Sequence, residues 1–450
     1  MQEPQPKKPR VAMLVLGRKR PGFDQEWGAG MEAAARATLA AMDLELFCPS
    51  AAAVDDASLR LAIDEIRRSP SRTIVVVQPT MGDGRLLPLL AQLWSEPLVL
   101  WATPERQDTP KVSSCSLVGM HLAGSLLAQL GREFELVYGH PDEPATRTEL
   151  LAAIRLVDMT ARIRRVKIGL VGGHAPGFIN MRADPVLLAR CLGIQLHEFS
   201  LPDFFTLVAV QDQKAVENDV ERVLALGIPL GDGLRRDDLL ENSRYYLAIR
   251  SLMTDENLDA IAVRCWPEMT AQRGAWPYLA MSRLADQRHI VALEGDVDGA
   301  ISCLIARLLR AWPAYISDWL EHDSRSILLW HPGQAPRAIC QPGSLRLGRH
   351  FNSGHPVVVN AALVLDEPVT LLRVWHRDGA YRLAAWEGRT VPPRRELSGV
   401  YGQVEIERDV RDLFDRLCHA GMPHHVIVAH GHHARMFQRA GRLLGLTWES

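Results

Sequence analysis

The sequence predicts an α/β protein that consists of two open sheet-and-helix domains followed by a β-rich domain. The first supporting observation is that short apolar runs, typical of strands buried on both faces, alternate with stretches of helical periodicity. The second is that this alternation starts again after a long helical stretch around residues 145–164. The third is a change after roughly residue 325, where short strand-like runs are separated by Gly, Pro and Asp-Gly turns.

The first domain is predicted to span residues 1–160 and to form one parallel sheet. Its strands are read from the runs VAMLVLG (11–17), LELFC (44–48), TIVVVQPT (73–80) and PLVLWAT (97–103). A helical pattern lies between each run and the next. Strand–helix alternation at such short spacing is typical of an open, Rossmann-like α/β sheet.

The second domain, residues 161–325, has the same design without visible repetition of sequence. Its strand candidates are KIGLVGG (167–173), LDAIAVRC (258–265) and HIVALEG (289–295), with helical patterns between them. In open sheets of this kind, ligands bind at the carboxyl ends of the strands. Functional side chains are therefore expected directly after these runs.

The third domain, residues 326–450, is predicted to be β-rich and barrel-like. Its strand candidates are SILLWHPG, HPVVVNAALVL, PVTLLRVWHRDGAYRLAAWEG and SGVYGQVEIERD, with turn residues between them. A helix (410–419), the strand HHVIVAH and a last helix (432–444) close the chain.

The composition is that of an ordinary globular protein. Of the 450 residues, 47% are hydrophobic and 23% are charged, and the net charge of -2 gives no reason to expect a nucleic acid or an anionic membrane as partner. No apolar run approaches the length of a membrane span, and the start MQEPQPKKPR does not resemble a signal peptide. The seven cysteines are scattered without C-x-x-C spacing. We therefore expect a cytoplasmic protein in a reducing compartment.

Acidic residues and histidines lie at the ends of several predicted strands. Glu268 follows IAVRCWP, Asp296 follows VALEG, and the pair His424-His425 precedes the run VIVAH. Carboxylates and imidazoles from neighbouring strand ends can share one divalent ion, and this ligand set, which contains no thiolate, favours Mn²⁺ over Zn²⁺. An ordinary alternative exists for each residue, because an acidic residue after a strand often caps a helix or lies in a solvated turn. For Asp298, we prefer such a capping role to a role as a metal ligand.

Four stretches resemble the L-fucose isomerase and L-arabinose isomerase superfamily: CWPEM (265–269), LEGDVDGA (293–300), WHPGQAP (330–336) and GMPHHVIVAHG (421–431). Two more, KVSSCSLVGMHLAGSLL (111–127) and IGLVGGHAPGF (168–178), are similar to segments of its two N-terminal α/β domains. The resemblance covers nearly the whole chain. The sequence differs from the fucose isomerases at HPG (331–333), where those proteins often have cysteine in place of the proline.

The resemblance implies a site and a reaction. Glu268 and Asp296 match the family's two acidic metal ligands, which are also its proton-transfer residues, and His425 matches its C-terminal ligand. His331 matches a histidine that arabinose-isomerase-like members use as a further ligand, and it can instead orient sugar oxygens. The implied cofactor is Mn²⁺, with Mg²⁺ or Co²⁺ as alternatives. The implied reaction is aldose–ketose isomerisation through an ene-diol, in which the ion stabilises charge and the carboxylates serve as acid and base.

The resemblance also implies residues that contact the sugar. Arg18 matches an arginine that reaches into the neighbouring subunit's site of a hexamer, and a solvated turn is its alternative. His174 and Phe178 match a loop on the substrate side. His424 can orient sugar oxygens, and Trp266 offers a ring of the kind that sugar sites use, although such rings more often lie in a core.

The predicted function is therefore that of a homo-oligomeric enzyme of carbohydrate metabolism that isomerises a monosaccharide. Two other functions stay open at the level of sequence. Linked α/β domains with strand-end crevices also build non-catalytic sugar-binding proteins, and a metal-dependent epimerase or aldolase uses similar ligands. The sugar itself stays open, and Arg182 in FINMRAD favours an anionic one, such as a sulfonated, phosphorylated or acidic sugar.

Overall fold

The computed structural model describes residues 8–19 and 22–449 of the chain. The chain divides into two compact units, Met1–Arg162 and Ile163–Ser450. The predicted central and C-terminal domains both lie within the second unit, and the boundary between them at residue 325 stays a prediction.

The first unit contains a five-stranded parallel sheet in the order β2-β1-β3-β4-β5. Its strands are β1 (Arg10–Val15), β2 (Glu45–Phe47), β3 (Thr73–Gln78), β4 (Leu98–Ala102) and β5 (Phe134–Tyr138). Its helices are α1 (Gln25–Ala40), α2 (Asp56–Arg68), α3 (Leu86–Leu93), α4 (Ser116–Gln129) and α5 (Pro144–Ile163). Every residue of β3 and β4 is buried, which explains why both strands are nearly continuous apolar runs in the sequence.

The second unit begins with a four-stranded parallel sheet in the order β7-β6-β8-β9. Its strands are β6 (Lys167–Val171), β7 (Gln195–Phe199), β8 (Ala260–Val263) and β9 (Ile290–Leu293). The helices of this part are α6 (Pro185–Leu192), α7 (Leu201–Ala209), α8 (Gln213–Leu224), α9 (Leu240–Asp255), α10 (Glu268–Arg273), α11 (Tyr278–Asp286) and α12 (Val297–Leu308). Because β8 and β9 are parallel neighbours, the residues that follow them lie at the same edge of the sheet.

The rest of the second unit is built around a closed barrel of six strands. The nine strands of this part, six of which form the barrel, are β10 (Ala314–His322), β11 (Ser326–His331), β12 (Arg346–Arg349), β13 (Pro356–Ala362), β14 (Pro368–Arg377), β15 (Ala380–Val391), β16 (Val400–Ile406), β17 (His425–His430) and β18 (Thr447–Trp448). Two helices, α13 (Val410–His419) and α14 (Ala434–Leu444), accompany them. Pairing runs from β16 through β11, β10, β17, β14 and β15 and returns to β16, which closes the barrel.

The predicted fold class is confirmed as a mixed α/β chain with parallel sheets and a β-rich C-terminal part that contains a barrel. Its Rossmann-like detail stays a prediction. The barrel begins with β10, ahead of residue 325. This strand is not predicted from the sequence, because AYISDWLEH mixes apolar and charged residues and lacks the apolar run on which the strand prediction relied. Among the described residues, no helix combines the length and the hydropathy that crossing a membrane requires.

Candidate active site

Side chains from the edge of the parallel sheet and from three barrel strands converge in the second unit. Glu294 follows β9, His331 ends β11 and His425 begins β17. Asp318 of β10 lies opposite His425 in one strand pair and opposite Trp330 in the other. Because β10 pairs with both β11 and β17, the two histidines reach the same end of the barrel.

The chain turns sharply between β9 and α12 and thereby presents Glu294. The φ angles of Glu294 and Gly295 are 59° and 74°, in the left-handed region that non-glycine residues seldom adopt. A Cβ atom at position 295 would lie 2.2 Å from the carbonyl oxygen of Gly173, so only glycine fits there. Backbone held in such a conformation by its surroundings is frequent at functional sites.

Glu294, His331 and His425 form a cluster, called here the ligand cluster, that is suited to bind a metal ion. Ligand atoms of the three side chains lie within 4.8 Å of one another, and all three residues are buried. A second group of the same kind overlaps with it and contains Asp318, His424 and His425. Carboxylate and imidazole ligands suit Mn²⁺ and similar divalent ions.

Two imidazole nitrogens of the ligand cluster have no hydrogen-bond partner within the part of the chain that the structure describes: His331 Nδ1 and His425 Nε2. His425 Nε2 lies 3.1 Å from a carboxylate oxygen of Glu294, which is an ion-pair distance without hydrogen-bond geometry. Buried polar atoms without partners are rare in folded proteins. Because one ion could accept the lone pairs of both nitrogens, the residues present fit a divalent ion.

The charge of the ligand cluster depends on His425. Burial alone would lower the pKa of His425, but the carboxylates of Asp296 and Glu294 raise it to about 10. Burial lowers the pKa of His331 to about 3, so its ring is neutral at physiological pH. His425 is therefore cationic at physiological pH, with its ring between two carboxylates. A metal ion that binds to Nε2 replaces the proton on that nitrogen.

Asp296 holds His425 in place from the other side of the ring. Its Oδ2 lies 2.8 Å from His425 Nδ1, and its two oxygens accept hydrogen bonds from Arg373 at 2.6 and 2.8 Å. Burial disfavours the charge of Asp296, yet Arg373 and His425 hold its pKa well below the ordinary value. Because Nδ1 is bonded to Asp296, His425 directs Nε2 towards Glu294.

Asp296 is also the N-cap of α12, where it accepts a hydrogen bond from the backbone N–H of Gly299 at 2.9 Å. The prediction that Asp298 caps this helix is therefore wrong. Asp298 lies two positions beyond the N-cap, within the first helical turn. Its buried carboxylate instead contacts His376 Nδ1 at 3.1 Å and accepts a hydrogen bond from the Tyr381 hydroxyl at 3.3 Å.

Asp318 and His424 lie beside the ligand cluster. A carboxylate oxygen of Asp318 is 3.6 Å from His425 Nε2, and the Asp318 side chain is 24% exposed. Burial raises the pKa of Asp318 to about 6, against the opposing effect of His425. Burial lowers the pKa of His424 to about 4, so this ring is neutral at physiological pH.

Glu268 is the first residue of α10 and lies outside the ligand cluster. Its carboxylate forms a two-point ion pair with Arg264, whose Nε donates at 3.0 Å and whose Nη2 donates to the other oxygen. The two side chains are 24% and 23% exposed, so both reach solvent. The ligand and acid/base roles predicted for Glu268 and Asp296 stay predictions.

Trp266, Phe178 and His424, all predicted to contact substrate, lie together next to the ligand cluster. The indole N–H of Trp266 donates to Glu294 Oε1 at 2.7 Å. The ring of Phe178 is 5.6 Å from Trp266 and 4.7 Å from His424, in edge-to-face contact with each. The rings of Trp266, Phe178 and His424 therefore form one aromatic surface next to Glu294, called here the aromatic wall.

The other two predicted substrate contacts, His174 and Arg18, lie in different units. His174 is on the loop after β6, and the next residue, Ala175, donates its backbone N–H to the carbonyl oxygen of Glu294 at 2.8 Å. Arg18 belongs to the first unit, where its guanidinium carbon lies 4.8 Å from the centre of the Phe23 ring. Substrate binding by these two residues stays a prediction.

Sequence reasoning missed Glu294, Asp318 and Arg373. Glu294 directly follows β9 and so satisfied the same strand-end rule that selected Asp296. Arg373 interrupts the apolar run VTLLRVW, and a charge inside a buried strand requires a buried partner. Asp318 carries no such local signal, because it lies in a strand of mixed polarity.

Three proteins named "Sulfoquinovose isomerase" are similar to this chain over most of its length. The protein from Priestia megaterium (strain ATCC 12872 / QMB1551) is 27% identical over 390 residues, which cover 85% of this chain and 86% of the relative. The protein from Alkalicoccus urumqiensis is 26% identical over 388 residues, with 84% and 86% covered. The protein from Clostridium sp. (strain MSTE9) is 24% identical over 432 residues and 94% of each chain. No protein-family model matches the chain.

Two solved structures align with it at low scores. A two-component system response regulator/GGDEF domain protein is 13% identical, with a TM-score of 0.23 over 68% of this chain and 99% of its own. An ABC transporter solute-binding protein from Agrobacterium vitis, bound with alpha-D-tagatopyranose, is 12% identical, with a TM-score of 0.18 over 67% and 89%. Scores of this size carry no argument about the fold.

The names of the three relatives describe enzymes that isomerise a sugar. The prediction that this chain is an enzyme that interconverts an aldose and a ketose is therefore confirmed. Its metal, its assembly and its membership of the L-fucose isomerase superfamily stay predictions.

Proposed function

We propose that the chain isomerises sulfoquinovose to the corresponding ketose with a divalent cation held by Glu294, His331 and His425. The similarity to the sulfoquinovose isomerases supports the substrate. The observation that supports the site is the convergence of three buried ligand-type side chains, two of which have a nitrogen without a hydrogen-bond partner among the described residues. The expected ion is Mn²⁺, with Mg²⁺ or Co²⁺ as alternatives. We further propose a cytoplasmic hexamer of the L-fucose and L-arabinose isomerase superfamily, as the resemblance implies.

The reaction requires stabilisation of negative charge on the sugar oxygens while a proton moves from C2 to C1. An ion in the ligand cluster would supply that stabilisation. The chain's own contribution is to hold the ligands in one geometry. Trp266 fixes Glu294 through one carboxylate oxygen, and Asp296 fixes His425 through Nδ1. Hydrogen bonds of this kind set the orientation and the tautomer of a metal ligand.

A residue that carries a proton to or from the sugar has to be accessible to it. The side chains of Glu268 and Asp318 are each 24% exposed, whereas Asp296 is wholly buried and bonded to Arg373 and His425. We therefore assign proton transfer to Glu268 and Asp318. Asp296 instead positions His425, a role that differs from the one implied by the resemblance.

The experiment that tests this function is isomerisation in D₂O followed by NMR. Chelator-treated protein is reloaded with Mn²⁺ and incubated with sulfoquinovose, and we expect a ketose that carries solvent deuterium at C1, with no reaction before reloading. A ketose without deuterium would replace proton transfer by a hydride shift and remove the roles of Glu268 and Asp318. Deuterium at C2 without a ketose would favour an epimerase. Binding of the sugar without any reaction would favour the non-catalytic sugar-binding protein.

A further inference from the structure

We infer that Arg182, with His174 and Arg264 beside it, forms a rim that binds the anionic group of the sugar. The inference rests on the proposed function, because it takes the substrate from there. It concerns the end of the sugar opposite to the carbonyl carbon. The ligand class is a sugar whose terminal carbon carries a tetrahedral oxyanion, which is the sulfonate in sulfoquinovose.

The loop between β6 and α6 places His174 beside the turn that presents Glu294. Its next residue, Ala175, is hydrogen-bonded through its backbone N–H to the carbonyl oxygen of Glu294 at 2.8 Å. Further along the same loop, the ring of Phe178 lies 4.7 Å from that of His424. The loop is therefore anchored to the ligand cluster at one point and to the aromatic wall at another.

Arg264 approaches this loop from the end of β8. Its Nη1 donates to the carbonyl oxygen of Gly172 at 3.3 Å, and its other nitrogens bind the carboxylate of Glu268. The Arg264 side chain is 23% exposed, so an anion that approaches from solvent can contact it. Its charge is compensated by Glu268 while that ion pair persists.

Arg182 supplies a positive charge without such compensation. It is exposed, and no carboxylate within the described ranges forms an ion pair with it. Asp184, two residues further on, is directed into the N-terminus of α6, where it accepts two backbone hydrogen bonds. Burial lowers the pKa of His174, and the nearby charges of Arg182 and Arg264 lower it further. A lowered pKa favours the neutral ring of His174, which can donate one hydrogen bond to an anion, so Arg182 supplies the uncompensated charge of the rim.

A sulfonate has the charge and the shape that this rim requires. It is fully ionised at neutral pH and presents three equivalent acceptor oxygens. Guanidinium groups bind such oxyanions through charge-assisted hydrogen bonds that are often two-point. A neutral sugar would leave the charge of Arg182 without a partner, so the rim discriminates in favour of an anionic sugar.

The experiment compares Arg182→Gln with wild type and with Arg222→Gln, which removes an exposed arginine from α8. For sulfoquinovose, we expect Arg182→Gln to raise KM and the dissociation constant about 10- to 100-fold, the effect of losing a hydrogen bond to a charged group. We expect kcat to change little, because the lost contact is far from the reacting carbons. Added salt should raise the wild-type KM and affect Arg182→Gln less. Glucose 6-phosphate, measured in parallel, separates a rim that takes any tetrahedral oxyanion from one that is specific for sulfonate.

The outcomes separate this inference from the proposed function. Turnover of sulfoquinovose with the same KM in Arg182→Gln and wild type would overturn the rim and leave the isomerase intact. Equal effects of Arg182→Gln and Arg222→Gln would also overturn it, because they would reflect net charge alone. Binding of sulfoquinovose without turnover, weakened only by Arg182→Gln, would support the rim and remove the isomerase. Failure of wild type to bind sulfoquinovose would overturn the rim.

Discussion

Arg373 and Asp296 form a two-point ion pair in which neither side chain is exposed to solvent, with Nη···Oδ distances of 2.6 and 2.8 Å. The pair joins barrel strand β14 to the start of helix α12, and the same carboxylate then contacts His425 Nδ1. One buried carboxylate therefore connects the packing of a helix on the barrel to the orientation of a predicted metal ligand.

Loss of Arg373 should destabilise the fold. Arg373→Met leaves the charge of Asp296 buried without its main partner, and breaking such a pair costs about 3 to 5 kcal/mol. Unfolding in guanidinium chloride, followed by circular dichroism, would measure the shift of the unfolding midpoint. Arg349→Met is the control, since its pair with Asp238 is partly exposed and should contribute less than about 1 kcal/mol.

The double variant Arg373→Met/Asp296→Asn completes this test. It removes both charges, so it should recover part of the stability that Arg373→Met alone loses. If the two single changes were merely additive in the double variant, the ion pair would not be the source of the loss.

Glu294→Gln should weaken metal binding strongly. Glutamine keeps an oxygen that accepts the Trp266 indole N–H but removes the charge that an ion requires. Because even the hydrogen-bond partners of metal ligands are worth 10- to 100-fold in affinity, loss of a ligand should cost at least about 100-fold. Titration calorimetry of chelator-treated protein with Mn²⁺ would measure this. Glu405→Gln, an exposed carboxylate of β16, is the control, and an equal affinity in Glu294→Gln would remove Glu294 from the ligand set.

Trp266→Phe should affect the metal site without unfolding the protein. Phenylalanine keeps a ring for the contact with Phe178 but cannot donate to Glu294 Oε1. We expect Mn²⁺ affinity or kcat to fall about 10- to 100-fold while KM changes less. Trp27→Phe removes a comparable indole hydrogen bond, to the Pro104 carbonyl oxygen in the first unit, and should leave Mn²⁺ affinity unchanged. Similar effects of both variants would contradict a specific role for Trp266.

The fold was easier to predict from the sequence than the site because its signals are local. The apolar run TIVVVQPT by itself indicates a buried strand, and β3 is buried along its whole length. The site depends on pairings between distant segments: Asp296 and His425 are 129 residues apart, and Arg373 is 77 residues from Asp296. The strand-end rule selected Asp296, which contacts His425 in the structure. Its partners follow from barrel register, which no local pattern encodes.

Glu105 should make the first unit more stable above pH 4 than at pH 2. Its carboxylate accepts hydrogen bonds from the backbone and hydroxyls of Ser113 and Ser114 and from the backbone of Cys115. Burial alone would raise the pKa of Glu105, but these hydrogen bonds lower it to about 2. The unfolded value is about 4.3. A folded pKa below the unfolded one stabilises the folded state above the unfolded value, and the stabilisation is lost as pH falls through the folded value.

Glu105→Gln tests this relation. The difference in thermal unfolding midpoint between wild type and variant should be largest above about pH 4.3 and should shrink as the pH approaches about 2. Glu405→Gln again serves as the control, because this carboxylate is exposed on β16. A difference that stays constant from pH 7 to pH 2 would show that Glu105 acts through packing and not through its charge.

Gly295→Ala should disrupt both the fold and the ligand cluster, whereas Gly274→Ala should affect neither strongly. The two glycines have nearly the same left-handed φ, 74° and 70°, so alanine pays a similar backbone cost of about 1 to 2 kcal/mol at each. The surroundings differ. A Cβ atom at 274 meets nothing within 4 Å, whereas one at 295 would lie 2.2 Å from the backbone oxygen of Gly173.

The collision at position 295 can be relieved only if the turn after β9 moves away from the loop after β6. That movement would displace Glu294, whose carbonyl oxygen accepts the Ala175 N–H, and would separate it from His425. We therefore expect Gly295→Ala to lower both the unfolding midpoint and Mn²⁺ affinity, and Gly274→Ala to lower only the midpoint, by the backbone cost. If Gly295→Ala lost stability and kept Mn²⁺ affinity, the position of Glu294 would not depend on this contact, and the tight turn would not determine the geometry of the ligand cluster.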